Sequence, residues 1–160
     1  MSLAFEPYAK WLLFAHLTFA VVAFAIAIHL AIRVFFFLQK RPLKVRHERL
    51  YVRLLAIFYF LTYFVGCILY PTFRIRIREE FYVKEKMDWA TGLFEVKEHF
   101  ASFGFVAVIA IIMLSQQIEP PVIKKGDRNL LLYWGVLLVL IALMFFNVWS
   151  GWFLAKLRSV

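Results

Sequence analysis

The stretch WLLFAHLTFAVVAFAIAIHLAIRVFFFL, Trp11 to Leu38, decides the fold. Its only titratable side chains are His16, His29 and Arg33, and it is longer than the roughly 20 apolar residues a spanning helix needs. Three more apolar stretches follow, Tyr51–Tyr70, Phe100–Leu114 with its flanks, and Leu130–Leu154. The third reaches spanning length only if it begins near Phe94 and continues through Ser115, Gln116 and Gln117. The expected fold is all-α, an integral membrane four-helix bundle with four transmembrane helices. One domain, residues 1–160, holds helices at about 8–38, 50–70, 94–117 and 129–156. Barrel strands would alternate polar and apolar residues over about ten positions, and these stretches do not.

Composition agrees. Of 160 residues, 64% are hydrophobic, and the mean hydropathy is +0.77. A water-soluble domain of this size has too little interior for that fraction. The first segment is too long for a cleavable leader and lacks both a basic start and a small-residue cleavage pattern. Cys67 is the single cysteine, which rules out an intrachain disulfide and a cysteine-based metal centre. The net charge of +9 does not point to nucleic acid, because bases flanking membrane spans act as topology signals and contacts to anionic lipid.

Bases are split almost evenly between the two sides. The connections after helices one and three, with Arg33, Arg53 and Arg128 at their edges, hold ten of the nineteen Lys and Arg residues. The short, dense run from Lys40 to Arg49 places that side inside, so both termini are expected outside, in a bacterial-type inner (cytoplasmic) membrane. Tyr8, Trp11, Tyr70, Trp89, Trp149 and Trp152 then mark the outer border, and Tyr51, Tyr133 and Trp134 the inner one.

With that topology His16 in helix one and His99 at the start of helix three lie at similar outer depths. Two imidazoles on different helices can clamp a haem iron. Small residues on the face of His16, namely Ala20, Ala23 and Ala27, suit either a haem slot or close helix packing. His29 and Met113 lie about 20 Å deeper on the same two helices, so a second haem matches in depth. It fails in rotation, because the 13-residue step from His16 to His29 misses the original face by about 140°.

Pro71 is expected to end helix two. Beyond it, Phe73-Arg74-Ile75-Arg76-Ile77-Arg78 alternates strictly, which is the strand period. Arg74, Arg76 and Arg78 would then share one face and could receive haem propionates, lipid phosphate or a partner subunit. Glu95 lies one helical turn before His99 and could orient its imidazole. Glu95, Glu98, His99 and His16 are also a candidate O/N metal site, although no Glu-x-x-His pair of the diiron kind occurs. Nucleotide-loop, nucleophile–base and HExxH motifs are absent from the sequence.

Four spans, His16 and His99, and the segments Tyr70-Pro71-Thr72-Phe73-Arg74 and Lys97-Glu98-His99 together resemble the four-helix membrane b-type cytochrome subunits of respiratory and quinone-linked complexes. Such cytochromes often use four histidines, where this chain has two in register. The resemblance implies an electron-transfer subunit. It would carry haem b between helices one and three and exchange electrons with quinol or a periplasmic redox protein inside a membrane oxidoreductase complex. The alternative is an anchor or assembly subunit of a larger membrane complex, without its own cofactor. A transporter is the weakest reading, since few ionisable groups fall inside the spans.

Overall fold

The computed structural model describes residues 5–39, 45–118 and 128–157. A short 3-10 turn, Glu6–Tyr8, leads into α1 (Ala9–Leu38). Helix α2 (Val45–Phe73) continues directly into a π-helical segment (Arg74–Val83), and α3 (Asp88–Gln116) and α4 (Arg128–Leu157) follow. Among the described residues, four helices are long and apolar enough to cross a membrane, and no strand occurs. The chain is an all-α, multi-pass membrane bundle.

The helices form a ring in which α1 packs on α2, α2 on α3, α3 on α4 and α4 on α1. That order makes α1 and α3 diagonal partners, and α2 and α4 likewise. Each helix turns one stripe inward at steps of three or four residues, the spacing of a single helix face. The stripes are Ala23, Ala27, Leu30 and Val34 on α1; Glu48, Val52, Leu55 and Tyr59 on α2; Gly104, Val108, Ile111 and Ser115 on α3; and Leu130, Tyr133, Leu137, Leu140 and Met144 on α4. Ala23 and Ala27 are wholly buried, so the small residues near His16 serve close helix packing in this fold. Phe14, Phe64, Phe103 and Phe145 are exposed on the outer faces, where acyl chains solvate them without cost.

One close approach requires glycine. Tyr59 reaches from α2 and donates its hydroxyl to the Ala101 carbonyl of α3 at 2.8 Å. A Cβ at Gly104 would lie 2.0 Å from that hydroxyl oxygen.

The region after Pro71 differs from the expectation of a helix end and a strand. The proline sits inside α2 with its ring exposed; a spanning helix tolerates the lost N–H bond when local π or 3-10 adjustment re-satisfies the freed carbonyl. The wider i→i+5 turn then explains which side chains go inside. Thr72, Ile77 and Tyr82, five residues apart, are all buried, whereas α-helical geometry would rotate each by about 140° from the last. The alternation of Ile and Arg thus carries no strand pairing. The segment instead caps the end of the bundle where α3 starts and α4 closes, the outer end in the expected topology: Tyr82 donates to the Leu154 carbonyl at 3.2 Å, and the Phe73 ring stacks on Phe94 with centroids 4.5 Å apart.

The cap ends at Lys86, whose φ of 55° is the left-handed conformation favoured by glycine at helix C-termini. Met87 closes this turn by donating its N–H to the Tyr82 carbonyl at 2.8 Å. Lys86→Gly is expected to stabilise the protein by up to about 1 kcal/mol, read as a higher midpoint of thermal unfolding in mild detergent. Gly104→Ala should cost about 1–3 kcal/mol through overpacking in the same assay, and Tyr59→Phe should relieve part of that loss by removing the clashing oxygen.

Candidate functional site

At the outer end, His16 points at α2, the helix beside it. Its Nδ1 lies 2.9 Å from the Thr62 carbonyl oxygen. A carbonyl only accepts, so Nδ1 carries the proton and Nε2 keeps its lone pair. Gly66, one turn further along α2, makes room for the ring: a Cβ there would stand 3.1 Å from Cε1. The charge that acts on His16 across the bundle is the Lys97 ammonium of α3. Lys97 runs along Gly151 of α4, where an added Cβ would meet its Cε at 3.3 Å, and its Nζ stands 5.9 Å from the Phe94 ring centroid.

Lys97 also fixes where His99 goes. Two residues on a helix are about 200° of rotation, so with Lys97 turned inward His99 turns outward. It is exposed, and its Nδ1 bonds the Glu95 carbonyl of its own helix at 2.7 Å. The structure therefore does not bring His16 and His99 to a common centre: they stand on diagonal helices, one facing α2 and the other the surroundings. His29 and Met113 are both exposed too, with the His29 ring against Tyr51 at 4.8 Å. His47 is exposed at the inner end. Among the described residues, no group of three or more His, Cys, Asp or Glu side chains gathers as a metal site.

Carboxylates partner all three arginines beyond Pro71. Arg74 pairs with Glu79 at 3.4 Å. Arg76 reaches Glu6 at 2.8 Å and Glu80 at 3.2 Å, tying the first turn of the chain to the π segment. Arg78 pairs with Glu95 and ties the same segment to α3. Water screens such exposed pairs, so they orient the outer cap more than they stabilise it.

The opposite end, inner in the expected topology, holds a centre at Glu48, which the basic residues around it disguise as part of a connection. Glu48 is wholly buried. One carboxylate oxygen accepts from Ser115 of α3 at 3.2 Å, and the other accepts from the Tyr133 hydroxyl of α4. Arg49 of α2 and, less strongly, Arg33 of α1 act on it electrostatically, and the buried Arg33 Nε has no hydrogen-bond partner among the described residues. Its guanidinium carbon stands 5.4 Å from the Tyr51 ring centroid. Every helix thus sends one polar group to this point. A signal was present in the sequence: Glu48 is the lone acid between Gln39 and Arg53, and it falls in step with Val52, Leu55 and Tyr59.

No protein-family model matches the chain, and neither the curated proteins nor the solved structures contain a match.

Removing one member of a buried charged set leaves the others unpaired in a low dielectric. Glu48→Ala is expected to cost about 3–5 kcal/mol, whereas Tyr133→Phe, which deletes one donor, should cost about 1–3 kcal/mol. Unfolding by SDS titration from mixed micelles measures both. A Glu48→Ala protein as stable as the parent would show that the centre does not hold the bundle.

Proposed function

We propose that the chain is an anchoring or assembly subunit of a larger membrane complex, and that it docks its partner through the outer half of the α2–α3 face. One observation carries this reading: a polar stripe faces outward at spanning depth. His99 and Ser102 are exposed on α3, and Tyr63 of α2 joins them, its hydroxyl 3.5 Å from Ser102 Oγ. The Nε2 of His99 has no hydrogen-bond partner among the described residues. Acyl chains supply no donor or acceptor, and ionisable side chains in spans are costly unless protein or water meets them. A neighbouring subunit supplies that contact. The inward polar groups, by contrast, are engaged in holding helices together, as His16 does with Thr62 and Glu48 with Ser115 and Tyr133.

The same imidazole favours a second reading. With Nδ1–H held by a main-chain carbonyl, His99 presents Nε2 as haem ligands do. A b-type haem on this chain would then sit at the subunit interface, with its other axial ligand from the partner, and would make the chain an electron-transfer subunit.

A photo-crosslinking amino acid at position 102 tests the docking. In native membranes it is expected to give one discrete heavier species, lost when His99 is replaced by Leu, while the same probe at the exposed Leu138 of α4 gives none. Equal labelling at both positions would reject the docking face. A reduced-minus-oxidised visible spectrum of the crosslinked species separates the two readings: a sharp b-type band selects the haem interface, and a flat spectrum selects the anchor.

A further inference from the structure

The basic residues at the two ends of α2 are used differently. Beyond Pro71, Arg74, Arg76 and Arg78 are spent on carboxylates. At the start of the helix, Arg46, Arg49 and Arg53 are exposed, and none forms an ion pair among the described residues. The carboxylate nearest in sequence, Glu48, is buried in the bundle with both oxygens accepting from Ser115 and Tyr133; the Arg49 charge acts on it but forms no ion pair with it. Arg46, Arg49 and Arg53 follow one another at steps of three and four residues and so share a face of α2. Together with His47 and Leu50 they line a recess of about 490 Å³.

We infer that this recess binds the head group of an anionic phospholipid. Three guanidinium groups in a row offer the forked donors that match phosphate oxygens. They span about 10 Å of helix rise, so a single phosphate can sit between two of them while the third meets glycerol or a second acidic group. The place is right for a lipid. Arg53 stands where the apolar run of α2 begins, and Leu50 interrupts the charged face with an exposed apolar side chain on which the first methylenes can rest. A soluble anion would use the guanidinium groups but not Leu50. The inference is independent of the partner proposed for the α2–α3 face, because it rests on the opposite end of the molecule.

The test is native mass spectrometry and thermal unfolding of the full chain, delipidated in detergent and then given phosphatidylglycerol, phosphatidylcholine or inorganic phosphate. Phosphatidylglycerol is expected to remain bound and to raise the unfolding midpoint, with at least ten times weaker retention of phosphatidylcholine. The variant carrying Arg46→Gln, Arg49→Gln and Arg53→Gln should lose that preference, whereas Arg74→Gln with Arg76→Gln should keep it. Equal retention of the two lipids by the parent would overturn the inference, as would an unchanged preference in the triple variant. Stabilisation by inorganic phosphate equal to that by phosphatidylglycerol would also overturn it, assigning the recess to a soluble anion. Should the triple variant fold poorly, Arg49→Gln alone is read by the same lipid ratio, which does not depend on yield.

Discussion

A carboxylate buried away from water must find its partners in protein, and at the inner end of this bundle all four helices answer that demand at Glu48. Ser115 and Tyr133 donate to it from α3 and α4, and the Arg33 charge of α1 lies near. Helix association inside a bilayer gains little from hydrophobicity, because acyl chains are as apolar as leucine. Close packing and interhelical hydrogen bonds must hold the helices instead. The stripes of alanine, leucine and valine bring the helices near each other, but any of them could slide by a turn along such uniform surfaces. Glu48 removes that freedom at one end. Tyr82 on the Leu154 carbonyl removes it at the other, and Tyr59 on Ala101 pins the α2–α3 pair between them.

Within this frame the polar side chains divide by direction. Several of those turned inward have partners from a neighbouring helix: His16 on Thr62, Tyr59 on Ala101, and Glu48 with Ser115 and Tyr133. Lys97 has no hydrogen-bonded partner of that kind among the described residues; its Nζ stands near the Phe94 ring, and the Glu98 charge acts on it. Its stem lies against Gly151, and pointing toward the start of α3 brings its charge nearer the membrane border, as long basic side chains in spans do. Those turned outward, His99 and Ser102 above all, bond mainly to carbonyls of their own helix, Glu95 and Glu98. The proposed partner covers the rest of their polar surface.

The membrane bundle is legible in the sequence because length and apolar content alone decide it: the apolar runs Trp11–Leu38 and Leu130–Leu154 lie within α1 (Ala9–Leu38) and α4 (Arg128–Leu157). Helix boundaries failed where polar residues lie inside helices. Val45–Arg49 looked like loop because bases dominate it, although Glu48 already keeps the period of the core stripe. Past Pro71 the two-residue alternation imitated a strand, and the five-residue spacing of Thr72, Ile77 and Tyr82 has no familiar template. The sequence pairs His16 and His99 by expected depth alone and says nothing of their rotation. That depended on Lys97 facing inward, which no count along a single helix reveals.

The central claim is that protein, not lipid, covers the outer α2–α3 face. A spin label at position 102, with Cys67 replaced and His99 kept, reports this through its collision rate with dissolved oxygen, which concentrates among acyl chains. In lipid nanodiscs extracted from native membranes, the account predicts low oxygen accessibility at position 102 and high accessibility for labels at positions 113 and 138. It also predicts that position 102 rises to the same high value when the chain is purified alone. High accessibility at 102 already in the native nanodiscs would contradict it.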